Sequence, residues 1–132
     1  GSKLKQAVMA HDEHKIVNIF KDDFKGFEEP HSVRETLDLS VPYLPREGSR
    51  GEMVMSMGKT LWYHKKGAAG VIDISPFSCM NDIITEAVYP GVSPEHDNFP
   101  IRVFYFDCVQ SNAEADLEIF MELAKNYKRR QL

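Results

Sequence analysis

Two short apolar runs constrain this chain more than any other feature. Val71-Ile72-Asp73-Ile74 is β-branched but for Asp73, and Ile101 to Phe106 is β-branched and aromatic but for Arg102, led in by Pro100. Both read as strands. Between them lies room for one helix. Ser75-Pro76-Phe77-Ser78-Cys79 reads as a loop, and Asn81 or Asp82 can cap a helix carrying Ile83, Ile84, Ala87 and Val88. Pro90-Gly91 is its expected stop, with a single further turn at Ser93-Pro94-Glu95. A last helix is expected from about Asn112 to Arg130, with Leu117, Phe120, Met121 and Ala124 on its core side. Lys125, Lys128, Arg129 and Arg130 complement the negative end of its dipole. The order strand, helix, strand, helix predicts a βαβα unit and a parallel sheet. The near-continuous apolar character of the second strand fits a strand covered on both faces.

The first half reads as mainly helical. Ser32 with Glu35, Ser49 with Glu52 and Ser111 with Glu114 each have capping-box spacing before a helical apolar pattern. Ile16, Val17, Phe20 and Phe24 mark one helix face, with Asp12 as cap and Gly26 as stop. Leu4 to Met9 fits either its lead-in or a short strand. Pro30 opens a short helix through Val33 and Leu37, ended by Val41-Pro42-Tyr43-Leu44-Pro45. A third helix is expected from Gly51 to Lys66, with Met53, Val54, Met57, Gly58, Leu61 and Trp62 as its apolar stripe and Gly67 as its stop. Gly58 costs about 1 kcal/mol relative to Ala in a helix interior. Its place on the apolar stripe predicts a close-packed neighbouring backbone. The expected class is therefore α/β, a Rossmann-like or flavodoxin-like fragment with a small parallel sheet and a mainly helical N-terminal part. Two strands are few for a sheet. An N-terminal strand, further sequence or another chain is expected to complete it. Residues 3–50 form the helical lead-in and 51–132 the α/β unit, together one domain. Gly1-Ser2 reads as a protease-cleavage scar, so a larger parent protein is expected.

Composition narrows the function. The 132 residues allow one core, and 42% hydrophobic with 27% charged residues is globular. Sixteen basic against 20 acidic residues give a charge of −4, unlike a general nucleic-acid binder. No apolar run approaches the roughly 20 residues of a membrane helix. Two distant cysteines make no disulfide framework, so a reducing, cytoplasmic location is expected.

In an open parallel sheet, ligands bind beyond the carboxyl ends of the strands. That rule selects Pro76, Phe77, Ser78, Cys79 and Met80 after the first strand, and Asp107, Cys108 and Gln110 after the second. Cys79 falls just before a helix start, where the dipole favours a thiolate that can serve as metal ligand or nucleophile. The ordinary reading of a lone cysteine is a small buried hydrophobe, and it applies to Cys79 and more strongly to Cys108. Neither forms a C-x-x-C pair. His11 and His14, beside Asp12 and Glu13, read as a solvated helix start rather than a metal face. His31, His64 and His96 have no Cys or Ser partner in sequence, and a Cys79–His64 pair formed in space has no local signature. The glycines form neither a dinucleotide nor a Walker loop.

One ordered set of motifs resembles a known family. Gly51-Glu52 leads to Ser56-Met57-Gly58-Lys59, then Gly67-Ala68-Ala69-Gly70-Val71-Ile72, then Pro76-Phe77-Ser78-Cys79-Met80. Pro100 before a strand ending in Asp107, and Leu117-Glu118-x-Phe120, complete it. The series, over about Gly51 to Tyr127, resembles the C-terminal region of 2-hydroxyacyl-CoA dehydratase activase-related proteins. It is similar, more distantly, to the C-terminal α/β region of dehydratase and benzoyl-CoA reductase D-components. The resemblance implies a role in an iron–sulfur, ATP-coupled electron-transfer system acting on acyl-CoA. It implies partners in the rest of a parent chain, with an ATPase domain, and in a dehydratase or reductase; homo-oligomers are left open. It also implies that Cys79 is a [4Fe–4S] ligand in the intact protein.

The departures from the pattern matter. Asn81-Asp82 stand where the family usually has Pro-Gly, Ala115-Asp116 where it has Thr-Arg, and Cys108 where glycine is common. Two cysteines cannot complete a four-thiolate cluster. The isolated chain is therefore expected to lack both cluster and activity. The alternatives are a docking domain that has lost the cluster and, more weakly, a small thiol enzyme using Cys79.

Overall fold

The structure, a computed structural model, describes residues 2–23, 25–30, 32–48, 51–107 and 113–132. Among the described residues it is mixed α/β and mostly helical. The order is α1 (Ser2–Ile19), α2 (Val33–Ser40), α3 (Met53–Lys65), β1 (Val71–Pro76), α4 (Met80–Glu95), β2 (Ile101–Phe106) and α5 (Ala113–Arg130). No described helix is long and apolar enough to cross a membrane.

The α2–α3 pair is built as its sequence predicts. Ser32 caps α2 by accepting the Glu35 N–H on its hydroxyl at 3.2 Å. Gly58 lies buried in α3, and a Cβ there would collide with the Thr36 carbonyl oxygen on α2. The cost of a mid-helix glycine is thus offset by contact between two backbones. α3 begins at Met53 with Glu52 as its cap residue and no side-chain cap bond, two residues later than expected. Ser49 and Ser111, the caps of the other two predicted boxes, lie outside the described residues. Gly67 ends α3 at φ +80°, a left-handed position that glycine takes without a Cβ penalty.

β1 and β2 pair in parallel, with Val71 opposite Ile101 and Pro76 opposite Phe106. Side chains alternate across the pleat. Val71, Asp73 and Ser75, with Ile101, Val103 and Tyr105, share the face that α4 covers, since Ser75 bonds Asp82 and Tyr89 bonds Asp73. The core lies there: Leu44, Val54, Met57, Leu61, Tyr89 and Val92, with Ile101 and Val103 packed against it. The other face carries Ile72, Ile74, Phe104 and Phe106. Phe120, Ala124 and Tyr127 of α5 are buried, and Tyr127 meets Phe99 edge-on at 5.4 Å.

The readings of three helices need correction. α4 does not stop at Pro90-Gly91 but runs to Glu95, through Pro90 and Pro94. Tyr89 and Val92, on either side of the break, are both buried in the core. Each such side chain contributes about 1.5–3 kcal/mol, against a helix proline cost of about 3 kcal/mol. α1 is one helix from Ser2, so Leu4 to Met9 is helical and Asp12 is internal rather than a cap. Of the predicted face, Ile16, Val17 and Phe20 are exposed rather than buried, and Phe24 lies outside the described residues. On α5, Leu117 and Met121 are exposed, while Tyr127 takes the core position that the expected stripe missed. No third strand joins the sheet among the described residues.

Candidate functional site

The carboxyl edge of the sheet assembles most of the residues that the sequence selects. Because β1 and β2 are parallel neighbours, Pro76, Phe77, Ser78, Cys79 and Met80 stand on the same edge as Asp107. Cys108 and Gln110 lie outside the described residues. The Phe77 N–H extends the ladder by donating to the Phe106 carbonyl at 3.1 Å. Ser78 turns the chain at φ +68°, an uncommon conformation for a residue with a Cβ. The turn closes when the Cys79 N–H donates to the Pro76 carbonyl at 3.1 Å.

Cys79 is the cap residue of α4, and its carbonyl accepts the Ile83 N–H. Its thiol is not spent on capping and is half-buried. Asn81 and Asp82, predicted as caps, sit inside the first turn. Phe77 and Met80 are each 65% exposed, and Ile74, Ile83 and Phe106 are at least half exposed around them. Among the described residues the rim is therefore mostly apolar, with Ser78 and Asp107 beside it and the Cys79 thiol set into it.

Beneath the rim is a polar layer that sequence reading missed. Ser75 donates to Asp82 at 2.6 Å, and both residues are buried. Tyr89 donates to Asp73 at 2.7 Å. Its only hydroxyl proton is thereby used, so the Thr60 hydroxyl, 3.4 Å away, is the donor between those two. Burial holds the Asp73 carboxyl above the usual carboxylate range; the Tyr89 hydrogen bond opposes this and nearby Asp82 adds to it. The one signal in the sequence was Asp73 itself, a carboxylate within a β-branched strand. The Asn81 Oδ1 is buried without a hydrogen-bond partner, beside Gly51.

The arrangement does not fit a complete metal centre. Among the described residues, no three His, Cys, Asp or Glu side chains come together to hold a metal ion. An all-cysteine [4Fe–4S] cluster takes four thiolates, and the chain has two cysteines. Nor does a Cys79–His64 pair form. The 16-residue α4 separates Cys79 from His96, a span of roughly 24 Å at 1.5 Å per residue. The His64 ring packs on His96, 4.7 Å between centroids. His11 and His14 are exposed on α1, and His31 lies outside the described residues. Asp116, which replaces a basic residue of the resembled pattern, accepts from Arg102 at 3.2 Å and ties α5 to β2. No family model matches the chain, and no curated protein or solved structure matches it either.

Proposed function

We propose that this chain is a docking domain of a 2-hydroxyacyl-CoA dehydratase activase-related protein, and that its working surface is the carboxyl rim with the open sheet face behind it. One observation carries the reading. A parallel sheet is normally covered on both faces, yet here Ile74 is 69% and Phe106 54% exposed. Phe77, Met80 and Ile83 extend that apolar surface around the edge. Apolar surface of this kind marks an interaction site. The occupant is the remaining α/β region of such a protein, which would add strands and a covering helix. In this reading the βαβα unit is a fragment of a Rossmann-like or flavodoxin-like sheet working in the cytoplasm. The test is hydrogen exchange on this chain alone and on an intact activase-related protein that contains it. The β1 and β2 amides are expected to gain protection in the intact protein. Equal exchange in both would sink the docking reading.

A second reading concerns Cys79. Its thiol is half-buried at the rim and free of the cap. In this reading it is one ligand of a [4Fe–4S] cluster whose other thiolates come from outside this chain. Such a cluster would supply one-electron chemistry; this chain would supply one sulfur and an apolar wall. Anaerobic reconstitution of the intact protein and its Cys79→Ala variant decides it. Lower iron content and weaker visible absorption in the variant are expected; equal values remove the assignment.

A further inference from the structure

The opposite, amino edge of the sheet holds a cluster that the docking reading does not use. There the ends of α3 and α4, the loop before β2 and the loop after α2 converge. The Tyr43 hydroxyl lies 2.7 Å from Glu95 Oε2 and 2.9 Å from His96 Nε2. A tyrosine has one hydroxyl proton, and a carboxylate can only accept. Tyr43 therefore donates to Glu95, and His96 must donate to Tyr43 through Nε2–H. This fixes the neutral tautomer of His96 and leaves Nδ1 as the site of its next proton. His96 packs edge-on against His64 at 4.7 Å, and His64 against Phe99 at 4.9 Å. Phe99, fully buried, continues the stack to Tyr127 of α5.

We propose that His64 and His96 form a pH-sensitive latch, in which charging both rings, in contact at 4.7 Å, loosens the amino edge. Protonating His96 on Nδ1 preserves its bond to Tyr43 and places its charge beside Glu95. Protonating His64 as well puts two like charges in ring contact. The charged and titratable neighbours among the described residues enter the balance. Lys65 on α3 opposes the second charge, as does partial burial; Asp97 in the loop favours it. Tyr127 and Lys128 of α5 line the same cavity of about 450 Å³, with Lys128 bonded to the Gly67 carbonyl and Arg130 lying over the Tyr127 ring. The negative ends of α3 and α4 favour cations. Burial and His96 prevail, holding His64 below the ordinary histidine range.

The sign follows. Below the unfolded histidine value of about 6.5, an opened chain takes up the proton before the closed one. Closure therefore weakens as pH falls, by at most about tenfold per pH unit for one proton.

Histidine ring resonances followed by NMR from pH 8 to 4 provide the test. The His64 midpoint is expected below the ordinary histidine value, and His96→Gln should raise it. Glutamine keeps an N–H donor for Tyr43 but carries no charge. Amide exchange supplies a second readout. Protection of Gly67, Ala68 and Phe99, whose N–H groups bond the His64, Tyr63 and His96 carbonyls, should fall with pH in the wild type. In His64→Phe, which keeps a ring and loses the charge, the fall should vanish. An unchanged His64 midpoint in His96→Gln, or an identical fall in His64→Phe, overturns the latch. Should His64→Phe not fold, the midpoint comparison alone decides.

Discussion

At the scale of single residues, two positions show how local chemistry is set by what lies opposite. Gly58 was legible in the sequence as a sacrifice of helix propensity that needed a reason, and the Thr36 backbone supplies it. Gly58→Ala is expected to destabilise the chain by about 1–3 kcal/mol, the usual penalty of overpacking, despite alanine's better propensity. Urea denaturation with an unchanged m value would show it. Asp73 was legible only as an oddity, because its partners come from another element 16 positions away. Its carboxyl is raised in the folded state. The folded chain thus binds a proton more readily than the unfolded one, and this group's contribution falls as pH rises through the folded value. Compared with Asp73→Asn, the wild type should therefore gain stability when pH is lowered from 7 to 4. Parallel pH profiles of thermal unfolding for the two proteins would contradict this.

At the scale of elements, legibility followed burial. β2 matched its predicted bounds because its β-branched and aromatic run, interrupted only by Arg102, is bounded by Pro100 and Asp107. α4 was cut short because proline and glycine are local signals, whereas the burial of Val92 is a tertiary one that no local rule contains. The capping residue of α4 was misread for a similar reason. Asp82 has a capping side chain, but Ser75 on the strand claims it. α1 is the opposite case: Leu4, Val8, Met9 and Ile19 are all more than half exposed, so packing adds little to it. An isolated helix of 18 residues is marginal in water without a packed face. Removing residues 3–19 should therefore shift the stability of the rest by no more than about 0.5 kcal/mol, the range of surface changes. A loss of several kcal/mol in calorimetry would mean that α1 is held by contacts the exposed side chains do not show.

At the scale of the molecule, the two edges of one small sheet have opposite character. The carboxyl edge is mostly apolar with a thiol; the amino edge is a stack of titratable rings. Position relative to the strands was enough to find the first, since the rule for open sheets names it in advance. The second required Tyr43, His64 and His96, 53 residues apart at the extremes, to meet, and nothing in their local sequence announces that. The parallel register has a further consequence, for the order of folding. Val71 pairs with Ile101 and Pro76 with Phe106, so every pairing in the sheet joins residues 30 positions apart. No hairpin can seed such a sheet, and its closure entropy is met before any ladder bond repays it. The α2–α3 contact is more local and closes first in this scheme, with the strands joining once α4 has docked. Gly58→Ala should then slow folding, while Val103→Ala should mainly speed unfolding. The two arms of a chevron plot would separate these effects, and the reverse assignment would place the nucleus in the sheet.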